Sequence, residues 1–389
     1  MKRRYAAFLF LHKFTLNTAE EFMNGKLSER KVMGNYRELK ADNTLTDFCS
    51  NDYLGFARSA KLKLLIEEEL SHYPDYKSGA TGSRLISGNL NYTENLEKEI
   101  ASFHGSEAAL IFNAGYDANI GLFSALPQRG DTLITDELIH ASIIDGARLS
   151  YANRYTFKHN DMQSLEEKLK HAKGRIYLVV ESVYSMDGDM PPMDQIIALS
   201  EKYHANVIVD EAHALGFYQK GLINEINLEN KVFARIITFG KALGCHGAAI
   251  LGSQLLRNYL VNFARSFIYT TAAPFHAVAS VRIAYQNLSG AVEEIEKLHK
   301  NINFFKKYVN AGEALIKSDT QIQGILIADA CKTRQIALSL QNNGLDVRPI
   351  LSPTVPEGTE RLRICLHSFN TQTEIQLLTE KINSFINVW

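Results

Sequence analysis

From residue 108 onward the chain alternates short apolar runs with amphipathic stretches of helical period. Residues 108–112, 131–135, 175–181, 206–210 and 235–239 are mostly apolar and rich in β-branched side chains. They read as strands buried on both faces. Between them, residues 118–126, 140–149 and 196–203 repeat their apolar positions at helical spacing. This alternation predicts an α/β fold with a mostly parallel sheet and helices on both faces. Residues 248–251 form a shorter run that reads as an antiparallel addition.

Upstream, residues 1–50 read as helical and then extended, and 62–70 and 95–103 as helices. Downstream, Ile295, Leu298, Ile302 and Phe305 share one face of a helix over 292–309. It leads into a smaller α+β unit with strands at 322–327 and 361–366 and helices at 334–342 and 371–386. Gly344 serves as a C-cap. The expected organisation is an N-terminal segment (1–50), a large domain (51–290) and a small C-terminal domain (291–389).

With 389 residues and 46% hydrophobic content, the chain can bury a large core plus an appendage. A net charge of −1 and the lack of any long block of like charge argue against a nucleic-acid surface and favour a small-molecule partner. Cys49, Cys245, Cys331 and Cys365 are scattered without CxxC spacing, which reads as thiols in a reducing compartment; no metal site is predicted. The basic start Met1-Lys2-Arg3-Arg4 precedes an apolar run over 5–11 that His12 and Lys13 end, with no small-x-small cleavage site. A peripheral helix and a cytoplasmic enzyme are expected. No run reaches the roughly 18 apolar residues that span a bilayer.

In such sheets the ligand site lies at the carboxyl ends of the strands, and the chemistry-bearing residues fall there. Asp210 closes the run 206–210, with Glu211 and His213 after it. Lys241 follows the run 235–239 among Gly240, Ala242 and Gly244, small residues that let a flat ring approach the backbone. A lone amine paired with a buried carboxylate is what pyridoxal 5'-phosphate (PLP) chemistry requires. The amine forms a Schiff base, and the acid keeps the ring nitrogen protonated so that the ring takes up electrons. Taken singly, Lys241 also reads as a surface lysine, Asp210 as a helix N-cap, and His213 as a core histidine.

Gly115 and Tyr116 stand between a strand and a helix, where backbone N–H groups bind phosphate; Tyr116 equally suits a core aromatic. Thr238 either binds phosphate or fills a strand position. His140, opening a helix, either lies on the ring face or is structural. Ser185 stands in a loop whose Asp187, Gly188 and Asp189 are turn residues. The Gly-rich stretch 79–84 reads as a lid or a connector. Arg348, in the small domain, suits a substrate carboxylate or an ordinary surface.

The stretches Ser50-Asn51-Asp52-Tyr53-Leu54-Gly55, Gly115-Tyr116-Asp117-Ala118-Asn119, His140-Ala141-Ser142, the 185–189 loop, Asp210-Glu211-Ala212-His213 and 238–244 together resemble the α-oxoamine synthases. These are PLP-dependent enzymes of fold type I, the aspartate-aminotransferase-like fold, and the likeness runs from Asn51 to nearly the end. It implies a mostly parallel central sheet with a smaller α+β C-terminal domain. It also implies a homodimer with sites at the interface, where Thr270 or Thr271 reaches the partner's phosphate.

The implied reaction is a decarboxylative condensation of an amino acid with an acyl thioester carried by CoA or acyl carrier protein. L-Alanine with a pimeloyl thioester, as in biotin synthesis, fits best. Sister synthases using glycine or serine are the near alternative, and a fold-type-I aminotransferase the distant one. The resemblance implies catalytic roles for Lys241, His140, His213 and Asp210. It places Gly115, Tyr116, His140, Ser185, Asp210, His213, Thr238 and Lys241 on PLP, and Asn51, Arg348 and Thr354 on substrate. Arg30 is the candidate for an N-terminal arginine that the family sets on the acyl group. The chain departs from the family at Thr93, where a histidine is usual, and at Ala214-Leu215-Gly216 in place of Gly-Thr-Gly.

Overall fold

The computed structural model describes residues 18–39, 41 and 44–386; the helix expected over 5–11 lies outside them. Twelve strands are present among these residues: β1 (Thr46–Asp47), β2 (Ala108–Phe112), β3 (Thr132–Asp136), β4 (Asn153–Phe157), β5 (Ile176–Glu181), β6 (Ala205–Asp210), β7 (Ala234–Thr238), β8 (Ala248–Gly252), β9 (Ile322–Leu326), β10 (Leu345–Asp346), β11 (Arg348–Ile350) and β12 (Arg361–Cys365).

Seven strands build the main sheet in the order β2-β8-β7-β6-β5-β3-β4. Only β8 runs antiparallel, against both β2 and β7, as its short run suggested. The carboxyl ends of β2, β3, β5, β6 and β7 therefore open on one edge. Strand β5 shows why the sheet is central: Leu178, Val179 and Val180 are wholly buried. Leu178 and Val180 enter one hydrophobic core and Tyr177 and Val179 the other, so the pleat feeds both faces.

The second sheet, β11-β12-β9, is antiparallel and belongs to the C-terminal unit. Strand β1 pairs in parallel with β10, Thr46 opposite Leu345. The Phe48 carbonyl accepts from Cys365 N at 2.8 Å and the Tyr53 carbonyl from Ser368 N at 2.8 Å. The segment carrying Asn51 and Tyr53 is thus stitched to the small unit, although some 300 residues separate them.

Several helices begin earlier than the apolar period implied: Asn91–Phe103, Gly115–Ala125, Met193–Tyr203 and Ala330–Asn342. Their first turns are mostly polar or Gly-rich; Met193, buried in the core, is an apolar residue in one of them. Strand β4 and the helices Met162–His171, Gln254–Phe263 and Phe275–Leu288 were not foreseen. In the edge strand β4 only Phe157 is buried, which leaves no alternation to read.

Candidate active site

Lys241 and His213 meet at the carboxyl edge. Lys241 lies past the end of β7 in a tight turn, with Gly244 N donating to its carbonyl at 2.8 Å and Gly244 itself in the left-handed region. Its Nζ lies 2.6 Å from His213 Nε2. His213 Nδ1 lies 2.7 Å from the Tyr53 hydroxyl, which donates to Asn51 Oδ1 at 3.0 Å. Arg363 Nη2 donates to the same Asn51 oxygen at 3.0 Å. With its one proton committed to Asn51, the Tyr53 oxygen accepts from His213 Nδ1–H. His213 Nε2 is then the acceptor for the Lys241 amine. Burial, together with the positive charges of Lys241 and Arg363, pushes the His213 pKa well below its ordinary value, so the ring is neutral.

Around Lys241, desolvation pulls the amine pKa down to about 8 against the opposing pull of Asp210 and Glu181. Burial and the adjacent Asp210 charge raise Glu181, 3% exposed, to about 8. Glu181 sits in register with Asp210 across β5 and β6. Two carboxyls this close in a dry setting do not both ionise readily.

A second chain of hydrogen bonds fixes the opposite wall. Asp210 Oδ2 accepts from Asn119 Nδ2 at 2.9 Å, and Oδ1 from Ala212 N at 3.0 Å. Asn119 also donates to Ser142 Oγ at 2.9 Å. Ser142 Oγ is 2.7 Å from His140 Nδ1, which also accepts from Ser142 N. His140 therefore carries its proton on Nε2. Its ring is the exposed N-cap of the helix Ala141–Leu149 and feels the charges of both Asp210 and Lys241.

These residues fit PLP. Asp210, 5% exposed, accepts only from neutral donors, so a pyridinium would supply its counter-charge. The helix Gly115–Ala125 starts without a side-chain cap, leaving the N–H groups of Gly115 and Tyr116 for a phosphate. Thr238 closes that corner: a Cβ at Gly115 would stand 3.7 Å from its Oγ1. Tyr116 is exposed, bonded to Asp145, and is not a core aromatic.

Ser185 is buried, and its carbonyl accepts from Arg363 Nε at 2.6 Å. Ser185, His140 and Thr354 line a cavity of about 670 Å³, together with Met186, Arg361 and Arg37. Arg30 is exposed on the helix Thr18–Val32 and does not line that cavity, whereas Arg37 does.

Arg348 does not join the cluster. Its guanidinium is held by Asp346 at 2.7 and 2.8 Å. The arginine that does join it is Arg363, directly across the β11–β12 ladder. The signal was present in Arg361-Leu362-Arg363-Ile364, where the two arginines alternate with apolar residues and so share one face. Arg361 pairs with Asp187, and both arginines grip the 185–189 loop. Tyr53, Asn119, Glu181 and Gln321, whose Nε2 donates to the His213 carbonyl at 2.7 Å, were also not singled out. Glu211 faces away into the core, bonded to Arg235 at 2.6 Å.

His159 clamps this loop from below. Its Nδ1 lies 2.9 Å from Asp136 and its Nε2 2.7 Å from Asp189. Both ring nitrogens face carboxylates, so both donate and the ring is an imidazolium. Burial alone would lower its pKa; the hydrogen bonds to the two aspartates outweigh that and raise it to about 9. A raised pKa contributes stability that is complete below the unfolded value near ~6.5 and is lost as pH rises through about 9. His159→Gln should therefore lower the urea midpoint at pH 6, by an amount equivalent to roughly 2–3 kcal/mol. The gap from wild type should close towards pH 9. A gap that does not vary with pH would remove the imidazolium from this role.

Among the described residues no group of three or more His, Cys, Asp or Glu is placed to hold a metal ion, and no helix is long and apolar enough to cross a membrane.

The model of the aminotransferase class I and II family matches residues 43–382. A putative 8-amino-7-oxononanoate synthase of Bacillus licheniformis is 38% identical, over 93% of this chain and 96% of that protein. A serine palmitoyltransferase (SPT) solved with PLP superposes with a TM-score of 0.87 at 25% identity, over 96% of this chain and 99% of that one. The 8-amino-7-oxononanoate synthase of Francisella tularensis superposes with a TM-score of 0.77 at 29% identity, over 89% and 99%. With the amine, the buried carboxylate and the uncapped helix start already in place, the chain belongs to the class I and II aminotransferase family and, within it, to the α-oxoamine synthases, PLP-dependent acyltransferases of fold type I.

Proposed function

We propose that the chain condenses L-alanine with a pimeloyl thioester, with loss of carbon dioxide, to give 8-amino-7-oxononanoate for biotin synthesis. The observation that carries this reading is the run Lys241–His213–Tyr53–Asn51–Arg363. It joins a base at one end to a carboxylate receptor at the other. The relatives named for this product supply the choice of acid and thioester.

Arg363, with Asn51, receives the alanine carboxylate and turns the Cα–H towards Lys241. With a pKa of about 8, the Lys241 amine is uncharged in a useful fraction near neutrality and takes that proton. PLP, when bound, supplies the electron sink for the resulting carbanion. Asp210 would keep its ring nitrogen protonated, His140 would pack against the ring, and Thr238, Gly115, Tyr116 and Ser185 would hold it. Alanine Cα then bonds to the thioester carbonyl carbon and the thiol leaves. His213 Nε2 accepts from the Lys241 amine and holds it at the reacting centre. The original carboxylate departs as carbon dioxide, and a proton returns to Cα. Thr354 meets the acyl chain in the cavity shared with His140 and Ser185. The working form is a homodimer in the cytoplasm. Thr271, whose carbonyl accepts from Asn113 beside the phosphate turn, is near the partner's phosphate.

A serine-using sister is the second reading, favoured by the closer superposition on serine palmitoyltransferase. Discriminating alanine from serine or glycine takes pocket contacts worth roughly 1–3 kcal/mol. A panel of the three amino acids against short, dicarboxylic and long acyl thioesters, scored by thiol release, separates the readings. Alanine with the pimeloyl thioester should win; serine with a long acyl chain winning would replace the proposal. In the same assay Arg363→Lys should raise the alanine KM by about tenfold or more. Arg348→Gln, outside the cluster, should leave that KM in place; the reverse pattern would return the carboxylate to Arg348.

A further inference from the structure

A second cavity, of about 430 Å³, lies between residues 34–37, the helix Ala330–Asn342 and the strand–loop segment 348–354. Arg37, Arg334 and Arg348 line it, with Ala337, Leu338, Ile350 and Leu351 giving it apolar walls; among the described residues no carboxylate lines it. Asp346 answers the charge of Arg348. Arg334 is not answered: its Nη2 is buried without a hydrogen-bond partner. Gly34, with φ of +62°, lets the chain pass close over this guanidinium, and a Cβ there would run into Arg334 Nη1. A half-buried arginine with an unpartnered Nη2, in a pocket that no acid among the described residues lines, suits an anion.

The position of the cavity narrows the class of anion. It shares Arg37, Ser352 and Thr354 with the cavity that contains His140 and Ser185. One extended molecule can therefore reach from the reacting centre into the arginine pocket.

We propose that this pocket binds the anionic end of the acyl donor, with Arg334 and Arg37 on its oxygens and the apolar walls along its methylenes. The inference rests on the α-oxoamine reaction proposed above. The shared chemistry is an oxyanion, and it has two sources in such a donor: the phosphates of the carrier and the far carboxylate of a dicarboxylic acyl chain.

Arg334→Gln is the test, with alanine held saturating and three donors compared. Pimeloyl-CoA has both anions, heptanoyl-CoA lacks the far carboxylate, and pimeloyl-N-acetylcysteamine lacks the phosphates. A KM raised roughly tenfold, with kcat kept, for the two CoA thioesters alone assigns the pocket to phosphate. The same rise for the two pimeloyl thioesters alone assigns it to the carboxylate. Arg334→Lys, which keeps the charge, should recover part of the loss. An unchanged KM for all three donors overturns the proposal, as does a uniform loss of kcat. Calorimetry of free CoA and of free heptanedioate with the holoenzyme, without alanine, reports the site independently of turnover. If no thioester is consumed yet one of these anions binds wild type and not Arg334→Gln, the reaction assignment fails and the anion site stands. If thioesters are consumed and neither anion distinguishes the two proteins, the anion site fails alone.

Discussion

Lys241→Ala is expected to abolish condensation and, more tellingly, the exchange of the alanine Cα proton with solvent, by at least ~10³-fold. Proton abstraction needs a base within reach, a useful fraction of which is free of its own proton. Lys241 meets both conditions: its Nζ touches neutral His213, and desolvation brings its pKa to about 8. His213 is a poor substitute, since its Nδ1 is committed to Tyr53 and its pKa is pushed well down. Exchange is read by proton NMR in deuterated buffer, and the covalent attachment of PLP by the visible absorbance lost on mutation. Exchange at the wild-type rate in Lys241→Ala would sink the assignment.

Asp210→Ala is expected to cost a comparable factor, through a different step. The carboxylate is buried and accepts from Asn119 and Ala212, both uncharged, so its counter-ion must come from what it holds. Without it a bound ring nitrogen loses its proton, and the electron sink weakens. PLP should still bind, because the phosphate corner at Gly115 and Thr238 and the Lys241 amine are untouched. Equilibrium dialysis should show the cofactor retained to within about tenfold, while alanine proton exchange falls ~10³-fold. Undiminished exchange would take Asp210 out of the role.

The sheet was legible because β5, β6 and β7 are apolar runs, and their carboxyl ends pointed to Asp210 and Lys241. His213 followed from Asp210 by proximity in sequence. Arg363 was not legible in the same way. It lies inside a short strand of a different sheet, and only the third dimension sets it against Asn51 and Ser185. Arg348 suits a substrate carboxylate by residue type, but Asp346, two residues away, captures it. Tyr53 was quoted as part of a motif without a role, since nothing local says that its hydroxyl will link Asn51 to a histidine 160 residues further along the chain. Residues whose function depends on a strand end are readable from pattern; those whose function depends on a long-range partner are not.

The pairing of β1 with β10, and of Asn51 with Arg363 across 312 residues, has a consequence for how the protein is made. At about 5–20 residues per second, roughly 15–60 s separate the emergence of these two halves from the ribosome. During that interval the main sheet can assemble, since β2 to β8 are complete by Gly252. The carbonyls of Phe48 and Tyr53 still lack Cys365 N and Ser368 N, which they accept from in the finished protein. Nascent chains stopped before β12 would hold a formed sheet with Lys241 and Asp210 but lack Arg363, the proposed carboxylate receptor, so on that proposal cofactor binding should precede substrate binding in the life of each molecule.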